Sequence, residues 1–232
     1  MLIRSSKGPE MTDSEEPLHY CAYLAYSWDV EYGHGLAPAA DELVATIEAA
    51  GVEIRGTYAT TLFRAGCDIL FWLLADSTLK LDEAARAIRT SGLSPALGPH
   101  WNAVGVHQPA EFNRGHVPAF VAGEPAGDFI CLYPFVRSHE WYLLPDEERR
   151  EMLAEHGMLA RPYKDIRANT VSSFGIGDYE WLLAFEAAEP VRFVQLMREL
   201  RAAKARLHTR EELPFINGVR RPLGEIITGL GG

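Results

Sequence analysis

Three side chains between residues 133 and 157 have the chemistry of a binding or reaction site. The stretch YPFVRSHEWYLLPDEERREMLAEHG places Tyr133 and Arg137 on a strand-like run and ends on His156 and a glycine. A neutral imidazole can ligate a metal ion, and a guanidinium that is removed from water needs an anionic partner. What these residues can do therefore depends on the elements that position them.

Tyr133, Phe135 and Arg137 alternate along the strand predicted at 128–138, so all three point to one side of it. Pro134 restricts that strand to an edge, an entry point or a bulge, since proline cannot donate a ladder hydrogen bond. We expect the shared side to face the interior of the fold. There the charge of Arg137 must be balanced either by a nearby Asp or Glu or by a bound anion.

The segment 145–156 predicts a helix, because a proline suits its first position, acidic residues follow, and Gly157 suits a helix stop. Two roles for His156 remain open. In the last helical turn its imidazole would interact favourably with the carbonyl-rich end of the helix. Alternatively, since it shares a helix face with Met152 and Leu153, a face turned to the core would carry the imidazole inward, where it could ligate a metal.

Other candidates have ordinary interpretations when each is taken alone. His116 in FNRGHVP is a loop histidine, of a kind that is usually solvated, and Trp141 is a core or rim aromatic. LRAAKARLHTR puts Arg201 and Arg206 at a helix end, where a basic face usually stays solvated and complements the helix dipole. The sequence contains no dinucleotide fingerprint, P-loop, GxSxG or HExxH motif, so nucleotide binding, acyl transfer and zinc-peptidase chemistry lack support.

The composition predicts a soluble globular protein and argues against several function classes. The 232 residues are 47% apolar, enough for a sizeable core, and they contain no apolar run of membrane-spanning length. A formal net charge of −10 argues against a general nucleic-acid-binding surface. The three cysteines are widely spaced, which favours reduced buried thiols over a disulfide framework or a zinc site. We therefore expect a cytoplasmic protein.

The elements that position the candidate residues recur in two halves. After a disordered arm predicted for 1–18, the order strand, helix, strand, strand, helix is predicted in 19–98 and again in 128–232. The last of these helices is predicted at 190–206. Residues 99–127 would connect the halves, and long connections inside a compact protein are usually functional.

This order predicts an α+β fold in which two ferredoxin-like repeats join their sheets into one barrel, with helices outside. The tetrapeptide WLLA, at 72–75 and again at 181–184, is a weaker sign of the same repeat. In such a barrel Tyr133 and Arg137 are expected on the inward face.

These motifs together resemble the chlorite dismutase-like heme protein family, and most closely its coproheme decarboxylase branch. YPFVRSHEWYLLPDEERREMLAEHG carries most of the resemblance, and AGCDILFWLLA, FGIGDYEW and PFING support it. The resemblance implies a dimeric α+β barrel within one chain, usually assembled into homopentamers. It also implies a reaction in which hydrogen peroxide converts two propionates of iron coproporphyrin III (coproheme) into vinyl groups, giving heme b and carbon dioxide.

The same resemblance assigns roles to residues of this chain. His156 matches the proximal iron ligand, and Tyr133 matches a tyrosine that becomes a radical beside a propionate. His116 resembles a distal histidine that would take a proton from hydrogen peroxide. Four further residues match positions on the propionate side, namely Arg137, Trp141, Arg201 and Arg206.

Asn169 stands, by counting along RPYKDIRANTV, where the chlorite-splitting branch has a distal arginine. Arg167 is two residues away, so a shifted register stays open. Two alternatives also remain: a chlorite dismutase or general heme peroxidase, and a heme-binding protein without enzymatic activity. No separate organic cofactor is implied, because the substrate is also the redox centre. The implied partners are coproheme, hydrogen peroxide, further copies of the chain and, transiently, a coproporphyrin ferrochelatase.

Overall fold

Nine strands and six α-helices occur in the computed structural model, which describes residues 18–109, 112 and 117–232. The first half contains β1 (Tyr20–Trp28), α1 (Val30–Gly33), α2 (Ala39–Ala49), β2 (Glu53–Ala59), β3 (Ile69–Ala75), α3 (Thr78–Thr90) and β4 (Leu97–Val106). The second half contains β5 (Phe129–Arg137), α4 (Asp146–Ala160), β6 (Arg167–Ser172), β7 (Trp181–Ala187), α5 (Pro190–Leu200), β8 (Thr209–Glu211), β9 (Ile216–Arg220) and α6 (Leu223–Gly229). The arm predicted for 1–18 falls outside the described residues except for Leu18.

Antiparallel pairing closes eight of these strands into a barrel. The strands lie in the order β4-β1-β3-β2 in the first half and β6-β7-β5-β9 in the second, and each set with its two helices is a ferredoxin-like unit. The halves join where β2 pairs with β9 and β4 pairs with β6. Strand β8 lies outside the barrel and pairs with the end of β5. The predicted α+β barrel is therefore confirmed.

Element boundaries differ from the prediction in three places. Strand β4 occupies the start of the segment predicted as a connection, because it pairs with β1 along its length despite containing Pro99 and two glycines. Helix α4 continues through Gly157 to Ala160, since that glycine does not take the left-handed conformation of a helix stop. Helix α5 ends at Leu200, and a separate 3-10 helix follows at Lys204–His208.

The repeated WLLA does not mark equivalent positions in the two halves. Trp72 packs inside the barrel, whereas Leu182 and Ala184 are the residues of the second copy that do so. Trp181 instead lies on the outer face and stacks on Phe135, with ring centroids 6.2 Å apart. Because strand side chains alternate, a shift of one residue reverses every face. The order of the elements, and not the tetrapeptide, shows the repeat.

Three groups of buried residues fill the molecule, one inside the barrel and one on the outer face of each half. The inner group combines residues of both halves. The outer face of the first half is covered by α2, α3 and α6, which contribute buried apolar residues. In the second half α5 packs in the same way. Helix α4 packs on this group only through the partly buried Leu159 and Ala160 near its end, and none of its residues, all of which are described, is fully buried. Space is left between α4 and the sheet.

Strand β5 turns Tyr133 and Arg137 away from the barrel interior, which corrects the expectation of an inward face. Ile130 and Leu132 belong to the inner group, whereas Cys131 and Tyr133 belong to the outer group with α5. Alternation then places Arg137 on the outer face as well. The candidate residues therefore lie under the helices of the second half.

A buried ion pair at one end of the barrel ties the two halves together. Arg55 of β2 donates from Nε and Nη2 to Oε2 of Glu186 on β7, at 3.2 and 2.6 Å. The side chains are 5% and 0% exposed. Glu186 also accepts hydrogen bonds from the backbone of Gly127 and from Asn169. Because every group is paired, the network holds the connecting segment against β6 and β7.

The three cysteines are free and buried, as predicted from their spacing. Burial raises the pKa of Cys21 and of Cys131 to about 12. These two side chains are therefore thiols at neutral pH and behave as small apolar residues.

We predict that Arg55→Met destabilises the fold strongly, because it leaves the carboxylate of Glu186 buried without its partner. Removal of one member of a buried pair costs about 3 kcal/mol or more in the free energy of unfolding, measured by urea denaturation. Arg192→Met is the control, because it breaks an exposed pair with Asp165. An equal loss in the two variants would contradict the structural role of the buried pair.

Candidate functional site

A cavity of about 870 Å³ lies between α4, α5 and the outer face of β6 and β7. The sheet contributes Ala168, Thr170, Leu183 and Phe185 to its wall, and α4 contributes His156 from the opposite side. The volume is within the range of small-molecule and cofactor sites. A largely apolar space between a sheet and a helix suits a broad, flat ligand.

A smaller recess of about 90 Å³ continues from this cavity towards Tyr133. The two spaces share His156, Leu183, Phe185 and Leu200, so they are parts of one site. The recess has more charged groups close together, and its polar lining is Tyr133, Arg137, Arg201, Arg206, Thr209 and Glu212. Several guanidinium groups at the end of an apolar cavity suit a ligand that carries carboxylates on its edge.

Helix α4 presents a half-buried His156 to both spaces. Burial lowers the pKa of His156 below its usual 6.5, and the nearby charge of Arg137 lowers it further. In the described part of the chain, no hydrogen bond or ion pair occupies the imidazole. Its neutral nitrogen is therefore free to bind a metal centre. Since α4 continues past Gly157, the geometry supports the ligand role of His156 over the helix-end role.

Tyr133 is 5% exposed and is held by aromatic and sulfur contacts. Its ring stacks on Phe215, with centroids 4.6 Å apart, and its hydroxyl points to Sδ of Met197 at 3.9 Å. Burial raises the pKa of Tyr133 well above its usual value, and the neighbouring Arg201 and Arg206 oppose that rise only in part. The side chain is therefore a phenol, not a phenolate.

Arg137 is placed by two aromatic rings and one carbonyl. Its guanidinium lies 4.2 Å from the ring centroid of Trp141 and 4.9 Å from that of Phe135, and it donates to the carbonyl of Ala205 at 3.1 Å. Burial lowers its pKa, although an arginine stays charged at any physiological pH. Among the described residues no carboxylate lies within ion-pair distance of this guanidinium. Of its two possible partners, a bound anion is the one the structure favours.

Trp141 is 3% exposed and does not line the recess. It lies in the 3-10 helix His139–Leu143, against the guanidinium of Arg137. Its contact with a ligand would therefore be indirect, through the position of that guanidinium.

Arg201 and Arg206 both reach the recess because α5 ends at Leu200, directly before Arg201. In one continuous helix, residues five positions apart would point about 140° away from each other. The turn after Leu200 lets both side chains contact Glu212 instead. Nη1 of Arg201 donates to Oε2 at 2.9 Å, and Arg206 pairs with Oε1.

A second predicted site residue, Asn169, also lines neither the recess nor the cavity. Asn169 is fully buried on the opposite face of β6, where its Nδ2 donates to Glu186 and to the carbonyl of Ala184. The cavity-facing positions of β6 are Ala168 and Thr170, on either side of it. His116 lies outside the described residues, and its role stays a prediction.

Several residues of the site were not predicted from the sequence. Alternation along β7 could have indicated the outward-facing Leu183 and Phe185. No sequence signal joins Glu212 to two arginines on another element. Three basic side chains on the wall of the large cavity were also not predicted: Arg150, Arg161 and Lys164.

The fold is a closed α+β barrel, and its site has a half-buried histidine over a largely apolar cavity with arginines at the end, which suits a porphyrin with carboxylates on its edge. Comparison with known families agrees, since the family model described as chlorite dismutase matches residues 37–221. The chain belongs to this family. A coproheme decarboxylase from Mycolicibacterium smegmatis is 52% identical over 204 residues, which cover 86% of this chain and 88% of the relative.

Two more distant proteins are also similar to the chain, one in sequence and one in fold. A coproheme decarboxylase from Staphylococcus carnosus is 29% identical over 150 residues, 58% of this chain and 60% of the relative. A solved structure of chlorite dismutase from Candidatus Nitrospira defluvii, in complex with imidazole, superposes with a TM-score of 0.82 at 20% identity. It covers 92% of this chain and 95% of its own. At that identity the likeness concerns the fold alone.

We predict that the pKa of His156 in the ligand-free protein lies below 6.5, measured by NMR titration of the imidazole protons. Because the folded-state pKa is lower than that of the unfolded chain, the contribution of His156 to stability falls as the pH drops below about 6.5. Arg137→Gln should raise this pKa by removing a nearby positive charge. Arg198→Gln, at an exposed arginine of α5, is the control and should leave it unchanged. A wild-type value at or above 6.5 would contradict the assignment.

Proposed function

We propose that this protein is a coproheme decarboxylase, which uses hydrogen peroxide to convert two propionates of iron coproporphyrin III into vinyl groups and so forms heme b. The observation that carries the proposal is the continuous site that joins a neutral His156, a buried Tyr133 and an Arg137 without a carboxylate partner. The relative from Mycolicibacterium smegmatis supports it, since that protein is named as a coproheme decarboxylase.

Coproheme fits the donor set of the site and would supply the redox centre when bound. Its ring needs apolar walls, its iron needs one neutral imidazole, and its carboxylates need guanidinium donors. For each propionate, one hydrogen peroxide is reduced to two water molecules while the side chain loses carbon dioxide and two hydrogen atoms. No other oxidant is required.

His156 would hold the iron through its free ring nitrogen, and the lowered pKa keeps that nitrogen unprotonated at neutral pH. Leu183 and Phe185 of β7 would pack on the ring and keep water from it. The position of α4 thus decides where the ligand sits between helix and sheet.

Tyr133 is the group that we place beside the reacting propionate. As a phenol it must give up its proton together with an electron, after which the tyrosyl radical can react only with what is adjacent. Arg201 and Arg206, at the same end of the recess, would hold the propionate there. Position, and not affinity, would then select the propionate that reacts.

Arg137 would bind a carboxylate with the guanidinium edge that its present contacts leave open, and Trp141 would keep that edge aimed into the recess. His116 belongs to the same proposal as the residue that takes a proton from hydrogen peroxide. It rests on the family resemblance alone.

Two features favour decarboxylation over chlorite dismutation. The cavity-facing positions of β6 are Ala168 and Thr170, so the strand offers no arginine to a small anion bound on that side. The solved chlorite dismutase shares the fold but only 20% of the sequence, whereas the relative named as a decarboxylase shares 52%.

Assembly and location extend the proposal. We place the reaction in the cytoplasm, because the buried free thiols suit a reducing compartment. Over the described ranges, no helix has the length and apolar character needed to cross a bilayer. From the family resemblance we further propose a homopentamer and a transient contact with a coproporphyrin ferrochelatase.

We predict that protein loaded with iron coproporphyrin III loses two carboxyl groups from its porphyrin on titration with hydrogen peroxide, as seen by mass spectrometry. Tyr133→Phe should stop this loss while the Soret band still reports binding. Tyr32→Phe, at an exposed tyrosine of the first half, is the matched control and should react like wild type. An unchanged porphyrin mass with the wild-type protein would rule out the proposed reaction. Rapid oxygen release from chlorite would instead support a chlorite dismutase.

A further inference from the structure

Glu212 occupies the place in the recess that a ligand carboxylate would take. It accepts a hydrogen bond from Arg201 at 2.9 Å through one oxygen and pairs with Arg206 through the other. Its side chain is 17% exposed, while those of the two arginines are 44% and 36% exposed. One carboxylate of the protein thus already holds both guanidinium groups.

Arg137 lines the same recess but has no such partner among the described residues. The cations at this end therefore fall into two kinds. One is open to an incoming anion, and two are occupied by a carboxylate of the chain. A ligand propionate can bind Arg201 and Arg206 fully only if Glu212 gives up hydrogen bonds.

The structure offers Glu212 room to move. A second recess of about 320 Å³ adjoins the first, and Glu212, Arg201 and Arg206 line both recesses. Arg210 also lines the second one. A rotation of the Glu212 side chain would carry its charge away from Tyr133 while leaving it near another cation.

The proposed reaction removes a carboxylate from this end of the ligand. A propionate paired with Arg201 and Arg206 would become an uncharged vinyl group, and the two guanidinium groups, each more than a third exposed, would lose a charged partner. A carboxylate of the chain that can return to them restores the lost ion pairs. The substrate state and the product state then differ in which carboxylate the arginines hold.

We propose that Glu212 is an exchangeable carboxylate that determines specificity: it yields Arg201 and Arg206 to a propionate of the substrate and takes them back when that propionate has become a vinyl group. This inference rests on the proposed function. It predicts that Glu212 reduces the difference between the affinity of the protein for coproheme and its affinity for heme b.

The test is equilibrium titration of Glu212→Gln with iron coproporphyrin III and, separately, with heme b, followed at the Soret band. Glutamine keeps the size of the side chain and removes its charge, so coproheme should bind more tightly and heme b should not. The ratio of the heme b Kd to the coproheme Kd should rise on the order of tenfold, as expected for the gain of a charge-assisted pair. Glu225→Gln, at an exposed position of α6, controls for net charge.

Two further variants separate exchange from a structural role. Glu212→Asp keeps the charge on a shorter side chain and should give an intermediate ratio. In a background of Arg201→Gln with Arg206→Gln, replacement of Glu212 should no longer change the ratio, because the groups that it competes for are absent. Thermal unfolding of each ligand-free variant checks that the fold is retained.

An unchanged ratio in Glu212→Gln would overturn the inference. So would a weaker affinity for coproheme, since Glu212 would then brace the arginines and not compete for them. Failure of this inference can be told apart from failure of the proposed function, because the mass of the porphyrin tests the proposed function separately with wild-type protein. Loss of the two carboxyl groups together with an unchanged ratio would contradict the role of Glu212 alone.

Discussion

The site depends on the alternation of β5 between the two faces of a closed sheet. Strand β5 is paired with β7 on one side and β9 on the other, so its register is held from both edges. Ile130 and Leu132 fill the barrel, and Tyr133 and Arg137 therefore lie outside it. A shift by one residue would drive the charge of Arg137 into the apolar interior, which makes this register strongly preferred.

The two halves of the chain use the same topology for different ends. In the first half, helices cover the outer face of the sheet with apolar side chains and complete a core. In the second, α4 begins with Asp146, Glu147 and Glu148 and buries none of its residues, so it lies over the sheet without filling the space below. The same architecture thus gives a packed layer in one half and a ligand cavity in the other. The buried pair of Arg55 and Glu186 holds the halves together on the opposite face of the sheet from that cavity.

The order of elements, the barrel and the buried thiols could be predicted from the sequence, because they follow from periodicity and composition. The face of β5 could not, since FICLYPFVR is apolar on both sides and alternation says only which residues share a side. Asn169 shows a related limit. Counting along the sequence places it on the correct strand, β6, but its two neighbours, Ala168 and Thr170, are the residues that line the cavity. The break after Leu200 has no local signal either, because RAAKAR consists of good helix formers and tertiary contacts override their propensity.

Helix α4 has a consequence for the stability of the molecule as well as for its chemistry. In the described structure no residue of α4 is fully buried, so the helix gains less free energy from the sheet beneath it than a packed helix would. Leu159 and Ala160 pack against the outer core, and the Lys204 backbone donates a hydrogen bond to Glu155. A ligand between helix and sheet would supply the apolar surface that α4 lacks. By thermodynamic linkage, ligand binding would raise the free energy that local opening of α4 requires. Hydrogen exchange at the α4 amides would therefore report whether the site holds a ligand.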